Sequence, residues 1–204
     1  MGLSKGEQTR LDTATLLAWL LPGALLLIAA VLVATGDSGR ELLRFDRGAI
    51  ADGELWRLVT GHFVHLGLTH FLLNGAGLAL VWIIVGREFA GREWLAIAGS
   101  SIAAIDIGLW IFSPELGWYV GLSGLLHGML AAGIVASFRL RRAEASILGL
   151  VIVGKLAYEQ LLGPLPGSEG TSGGTVIVDA HLYGVIGGVI LAAILIRVRR
   201  MAPI

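Results

Sequence analysis

A chain of 204 residues of which 55% are hydrophobic and 15% charged, with a mean hydropathy of +0.80, is too apolar for an ordinary soluble domain, where about a quarter of residues carry charge. Fifteen Lys and Arg balance fifteen Asp and Glu, so no net basic charge points to a nucleic-acid partner. The absence of cysteine excludes disulfides, thiolate metal sites and a cysteine nucleophile together.

A helix that crosses a bilayer needs about 20 mostly apolar residues. Six stretches meet or approach this, at about 15–35, 69–86, 94–113, 118–137, 145–163 and 177–197. The first is long and is followed by no small-residue cleavage site, so we expect a retained helix rather than a removed leader. The connection 36–68 mixes charged residues with Leu42, Leu43, Phe45 and Trp56 and reads as a partly structured loop at the membrane interface. The expected architecture is therefore all-α: one membrane domain over 1–204, a bundle of six transmembrane helices.

Short-loop Lys and Arg favour the cytoplasmic side. Lys5 and Arg10 precede the first helix, Arg87 and Arg92 lie between the second and third, Arg139, Arg141 and Arg142 between the fourth and fifth, and Arg197, Arg199 and Arg200 follow the sixth. The turns at 114–117 and 163–176 have neither residue type. Both termini are expected in the cytoplasm. The long first connection is the exception, with four arginines offset by five acids.

Polar groups inside the hydrocarbon are costly and mark functional candidates. His62, His65, His70 and Asn74 come at the end of the long connection and the start of the second helix; GLSGLLHG places Ser123 near the start of the fourth helix with His127 one turn deeper; AHLYGVIGG places His181 near the start of the sixth. The inferred topology runs these three helices in the same direction, so Ser123, His70, Asn74 and His181 fall within about two turns of the same outer face. A serine hydroxyl is a weak nucleophile until a base takes its proton, and a histidine on a facing helix is a suitable base. Tetrahedral intermediates need hydrogen-bond donors, which an Asn amide, a His ring and a helix N-terminal N–H supply. Taken singly, each residue has a plainer reading: Ser bonding its own helix, His70 with Asn74 joining two helices. Convergence on one depth and one face favours chemistry. Gly121 and Gly124 leave room for a substrate backbone, and Gly184, with Gly188 in a GxxxG pair, allows close helix approach.

Three separated motifs resemble those of the rhomboid intramembrane serine proteases, and among them the rhombosortases. WRLVTGHFVHLGLTHFLLN (56–74) is similar to the family's WR element followed by HxxxxHxxxN on His65, His70 and Asn74; GLSG (121–124) is similar to GxSG, and AHLYGVIGG (180–188) to AHxxGxxxG. The histidine after GxSG and the compact six-helix length are the rhombosortase-like features. The resemblance implies Ser123 as nucleophile and His181 as general base in a two-member dyad, with His70, Asn74 and the Ser123 N–H as the oxyanion hole, His65 as a structural histidine, and Trp56 and Arg57 as supports of the long connection. Glu88 does not fit the family's spacing for a loop-pairing glutamate, and Asp179 sits on a different helix face from His181.

His127 competes with His181 as base or hydrogen-bond partner of Ser123, and the interhelical base is favoured. Lys155 and Glu159, at i and i+4 in the fifth helix, read either as an internal ion pair or, since that helix is the lateral gate in the family the chain resembles, as a substrate-selecting contact by Glu159. Asp106 has no partner in sight. His127, Gly121, Gly124, Gly184 and Glu159 are thus accessory candidates. A metalloprotease is disfavoured because HExxH is absent, although His62, His65 and His70 are metal-ligand types; neither a metal nor another cofactor is expected. By resemblance, the expected activity is cleavage of single-span proteins from lipid near the periplasmic face of a bacterial inner membrane. The expected substrates carry a C-terminal GlyGly signal made of a Gly-rich motif, a span and a basic tail. A general rhomboid protease or a non-catalytic segment-binding protein are the alternatives, and a need for an accessory protein is left open.

Overall fold

The computed structural model describes the backbone of residues 5–201 and the side chains from Trp19 to Met201. In chain order the elements are α1 (Lys5–Ala34), α2 (Gly36–Leu43), β1 (Phe45–Asp46), α3 (Arg47–Ala51), α4 (Arg57–Thr60), α5 (Leu68–Val85), α6 (Gly91–Phe112), β2 (Trp118–Tyr119), α7 (Ser123–Ser137), α8 (Arg142–Leu162), α9 (Ser168–Ser172) and α10 (Val178–Met201). Among them α5, α6, α8 and α10 are long and apolar enough to cross a bilayer, and the stretch Trp19–Ala34 meets α2 at a bend of 116°. Gly36 makes this turn at φ +66°, a conformation that favours glycine.

The helix expected over 118–137 is shorter than its apolar stretch. Trp118 and Tyr119 pair antiparallel with Asp46 and Phe45, and Gly121 at φ +117° is incompatible with a right-handed helix, so α7 begins only at Ser123. Its 15 residues rise about 22 Å, less than a bilayer core of about 30 Å. The nucleophile candidate therefore stands on the first turn of a helix that starts inside the protein.

The centre of the bundle is the seam between α7 and α10. A methyl group on Gly184 would overlap the carbonyl of Gly124, and one on Gly188 the carbonyl of Gly128, so four glycines bring two backbones into contact. Within hydrocarbon this close packing holds helices together, since apolar burial gives no drive there. On the other face of α10, Ser100 of α6 donates to the Gly187 carbonyl at 2.9 Å. Trp82, Trp94, Phe89, Leu125 and Met129 belong to the larger apolar core, which runs along α7 from its first turn.

The long connection 36–68 contains three short helices and a strand, fastened to the bundle by arginines. Arg57 is buried; its Nε meets Glu54 at 2.6 Å and its Nη1 donates to the carbonyls of Glu41 and Arg44 at 2.7 and 3.0 Å. Trp56 lies half exposed and reaches the Leu42 carbonyl. The sequence did not single out Arg47. Its guanidinium donates to four carbonyls at the end of α6 and in the turn beyond it: Leu109 (2.6 Å), Ser113 (3.0 Å), Trp110 and Leu116 (both 3.1 Å). A cation there satisfies orphan helix-end acceptors and matches the negative end of the helix dipole. With charge-assisted bonds giving about 1.5–3 kcal/mol each in favourable settings, Arg47→Ala is expected to destabilise the fold by about 3 kcal/mol, and Arg47→Lys, which lacks the planar fork, to recover only part. Unfolding in detergent followed by circular dichroism reads this directly.

At the opposite end of the bundle from Ser123, Arg141 pairs with Glu88 and Arg199 with Glu93, tying the ends of α5, α6, α7 and α10. Glu88 thus lies far from the site.

Candidate active site

Ser123, His181, Glu159 and Lys155 form one continuous polar chain across three helices. Ser123 Oγ on α7 lies 3.0 Å from His181 Nε2 on α10, and His181 Nδ1 lies 3.0 Å from Glu159 Oε2 on α8. Glu159 Oε1 accepts from Lys155 Nζ at 2.6 Å. The seam glycines explain the approach of the first two: Ser123 directly precedes Gly124, His181 is three residues before Gly184, and these glycines touch across α7 and α10. His181 and Glu159 are buried, 4% and 3% exposed.

His127 does not reach the Ser123 hydroxyl. Its Nδ1–H donates to the Ser123 carbonyl at 2.7 Å, and its ring stacks on that of His181 with centroids 4.1 Å apart and planes 18° from parallel. It packs against the face of the His181 ring and makes no hydrogen bond to the Ser123 hydroxyl. Glu159 likewise differs from a free substrate-contacting residue, because both its oxygens are engaged within the protein.

Hydrogen-bond donors from α5 and the start of α7 line the same cavity. The Leu66 N–H donates to His70 Nδ1 at 3.3 Å, which fixes the ring proton on Nε2. Asn74 Nδ2 gives one hydrogen to the His70 carbonyl at 3.2 Å and keeps the other. At the start of α7 the first-turn N–H groups have no intrahelical acceptor, so Ser123 sits at the positive end of the helix. A cavity of about 440 Å³ opens onto all of these groups, with Ser123, His181, His70 and Asn74 in its wall, α5 along one side and Glu159 and Lys155 of α8 along the other.

Gly121 is required twice. Its φ of +117° disfavours any side chain, and a methyl group there would lie 2.8 Å from His70 Cε1 and 3.0 Å from its Nε2. Tyr119 holds the turn by donating its hydroxyl to the Gly121 carbonyl at 2.6 Å. Gly121→Ala is expected to displace His70 and to lower any catalysis that uses its Nε2–H by about 10²–10³, the usual loss for one such donor. Helix content should stay unchanged, with kcat measured at saturating substrate and circular dichroism as the check.

The remaining candidates are placed elsewhere. His62, wholly buried, bonds Asp106 at 3.1 Å, which supplies the partner that the sequence did not reveal for that acid. His65 donates Nδ1–H to the Phe63 carbonyl at 3.0 Å and packs edge-on against His70; burial pushes its pKa down to about 4, so it is neutral near pH 7. With His62 turned to Asp106, the three histidines of this segment do not share a ligand centre. Asp179 accepts from Ser113 at 2.7 Å. Ligand atoms of His127, Glu159 and His181 lie within 4.8 Å of one another, but the Lys155 ammonium stands among them, 3.4 Å from His181 Nδ1, and supplies the cation.

An all-helical membrane bundle that presents a serine to a histidine of the neighbouring helix, with an Asn and a His lining the same cavity, defines a narrow class of protein. Residues 52–198, which include every residue of this constellation, match the family model described as Rhomboid domain. The chain belongs to the rhomboid family. It is 29% identical over 153 residues to the putative rhomboid protease YdcA of Bacillus subtilis, covering 72% of this chain and 71% of that protein. To the rhomboid protease GluP of the same organism it is 28% identical over 150 residues, which are 74% of this chain but 28% of that longer protein. An uncharacterized protein of Mycobacterium tuberculosis, Rv1337, is 30% identical over 155 residues, 72% of this chain and 57% of its own length.

Proposed function

We propose that the protein is an intramembrane serine endopeptidase that cleaves single-span membrane proteins with Ser123 as nucleophile and His181 as general base. The observation that carries this reading is the 3.0 Å approach of Ser123 Oγ to His181 Nε2 in the wall of a cavity. Oγ adds to the scissile carbonyl carbon as its proton passes to His181 Nε2. Negative charge develops on the carbonyl oxygen, where His70 Nε2–H, the free Asn74 hydrogen and the Ser123 N–H are gathered. The C–N bond then breaks and the leaving amine takes the proton from Nε2, leaving an acyl-enzyme that water hydrolyses by the reverse proton route.

The substrate class follows the rhombosortase-like features of the sequence: exported proteins ending in a Gly-rich motif, a span and a basic tail. An apolar span suits entry from lipid between α5 and α8, and the glycines of the motif suit an extended backbone in the cavity. The arginine distribution supports a site facing the periplasm of a bacterial inner membrane with both termini in the cytoplasm. Purified protein in liposomes is to be given two single-span substrates, one with the GlyGly-type tail and one without. Cleavage of the first in preference to the second, lost in Ser123→Ala, is expected. Equal cleavage of both would make it a general rhomboid protease, and cleavage of neither by folded protein would make it a binding protein for membrane segments.

A further inference from the structure

We propose that Glu159 is the positioning residue of the Ser123–His181 pair, so that the site works as a serine–histidine–glutamate triad with Lys155 orienting the glutamate. This rests on the protease reading above but goes beyond the two-member dyad that the family resemblance implies.

The argument starts from the His181 ring. For Nε2 to accept the Ser123 proton, the neutral ring must carry its hydrogen on Nδ1, and that hydrogen needs an acceptor within a buried site. Two side-chain groups lie near Nδ1: Lys155 Nζ at 3.4 Å and Glu159 Oε2 at 3.0 Å. An ammonium has only hydrogens to give. Glu159 is therefore the acceptor, and its bond selects the tautomer with a lone pair aimed at Ser123. His127, stacked on the ring face, limits tilting, so the imidazole is held in plane by one neighbour and in rotation by another.

The readings of Lys155 and Glu159 that the sequence left open are decided by what each oxygen does. An ion pair that only lowers the cost of burial needs no histidine, and a carboxylate that reads substrate needs a free oxygen. Glu159 is 3% exposed and spends Oε1 on Lys155 and Oε2 on His181. Lys155 offsets the buried charge, which would otherwise be costly in a membrane helix. In the reaction the Nδ1 hydrogen stays in place. As Nε2 takes the serine proton, the ring becomes an imidazolium facing the Glu159 carboxylate, which stabilises it until the proton leaves with the amine. Because Glu159 and Lys155 both belong to α8, the alignment of a base on α10 depends on where the cavity-bounding helix sits.

Lys155 also makes the test sharp. In Glu159→Gln the ammonium can bond only the amide oxygen, which leaves the NH₂ facing His181 Nδ1 and drives the ring hydrogen to Nε2, the wrong tautomer. Labelling of Ser123 by a small fluorophosphonate, in which Oγ displaces fluoride from phosphorus as its proton goes to His181, reports activation without substrate recognition. In Glu159→Gln the labelling rate and kcat are expected to fall together by about 10²–10⁴, with KM changed by less than about threefold. Adding Lys155→Met lets the amide turn its oxygen to Nδ1 and should restore at least about tenfold of both rates, a rescue that a purely structural ion pair would not give. Glu159→Asp, which keeps a carboxylate, should retain more activity than Glu159→Gln. Labelling of Glu159→Gln at the wild-type rate, a change confined to KM, or no rescue in the double variant would overturn the triad while leaving the protease reading intact. A folded wild-type protein that takes no label at Ser123 would overturn the protease reading, and the triad with it.

Discussion

Ser123→Ala and His181→Ala are each expected to lower the rate of peptide cleavage by about 10⁴–10⁶, and the double variant by hardly more than either alone. Members of a nucleophile–base unit act together, so removing one leaves the other without a task. Among the described residues, His181 is the one side chain hydrogen-bonded to the Ser123 hydroxyl. His127 lies one turn along α7, but its ring is turned so that Nδ1 meets the Ser123 carbonyl and its face stacks on His181, not toward the hydroxyl. His127→Ala should therefore cost far less, about tenfold, by loosening the His181 ring. Neither principal substitution removes apolar contact from the core, so both variants should fold. The check is kcat on a reconstituted single-span substrate, with the same preparations melted in detergent. A His181→Ala protein within tenfold of wild type would mean that another group takes the serine proton and that the 3.0 Å contact is structural.

The elements most legible in the sequence were those with a strong local signature. Apolar runs of about 20 residues located α5, α6, α8 and α10, and Ser123, His181, His70 and Asn74 were picked out because polar groups at one depth of an oily chain need a reason. Short-range reading stopped where a tertiary contact decided the outcome. The residues 118–122 are as apolar as a helix start, yet pairing with Phe45 and Asp46 and the positive φ of Gly121 hold them extended. Asp106 lacked a partner because His62 is 44 residues away, and Arg47 reaches carbonyls 62 to 69 residues further on. The i, i+4 spacing of Lys155 and Glu159 announced a pair but not the direction it faces. That depended on α8 lying beside the start of α10, which no local pattern encodes.

Gly184→Val is expected to abolish cleavage and lower stability at once, because position 184 sets the distance between Ser123 and His181 on which the proposed chemistry depends. A methyl group at Gly184 would overlap the carbonyl of Gly124, a backbone atom that cannot rotate away, and one at Gly124 would come within 2.7 Å of the Ala180 carbonyl. The only relief is for α7 and α10 to separate. Ser123 adjoins Gly124 and His181 lies one turn before Gly184, so a separation of even 1 Å stretches the 3.0 Å contact beyond hydrogen-bond range. Misplacement on that scale costs about 10²-fold in catalysis, and overpacking costs about 1–3 kcal/mol or more in stability. Gly184→Ala should show the same two losses in smaller measure. Gly154 on α8 has nothing within 4 Å of the place a methyl group would occupy, and Gly154→Ala should instead stabilise its helix by about 0.5–1 kcal/mol. Cleavage rate and melting midpoint measured together on the three variants separate a seam effect from the general preference of helices for alanine. Activity falling with side-chain volume at 184 but not at 154 is the pattern that close α7–α10 contact requires, and a fully active Gly184→Val protein would mean that the two helices are not held at this distance during the reaction proposed above.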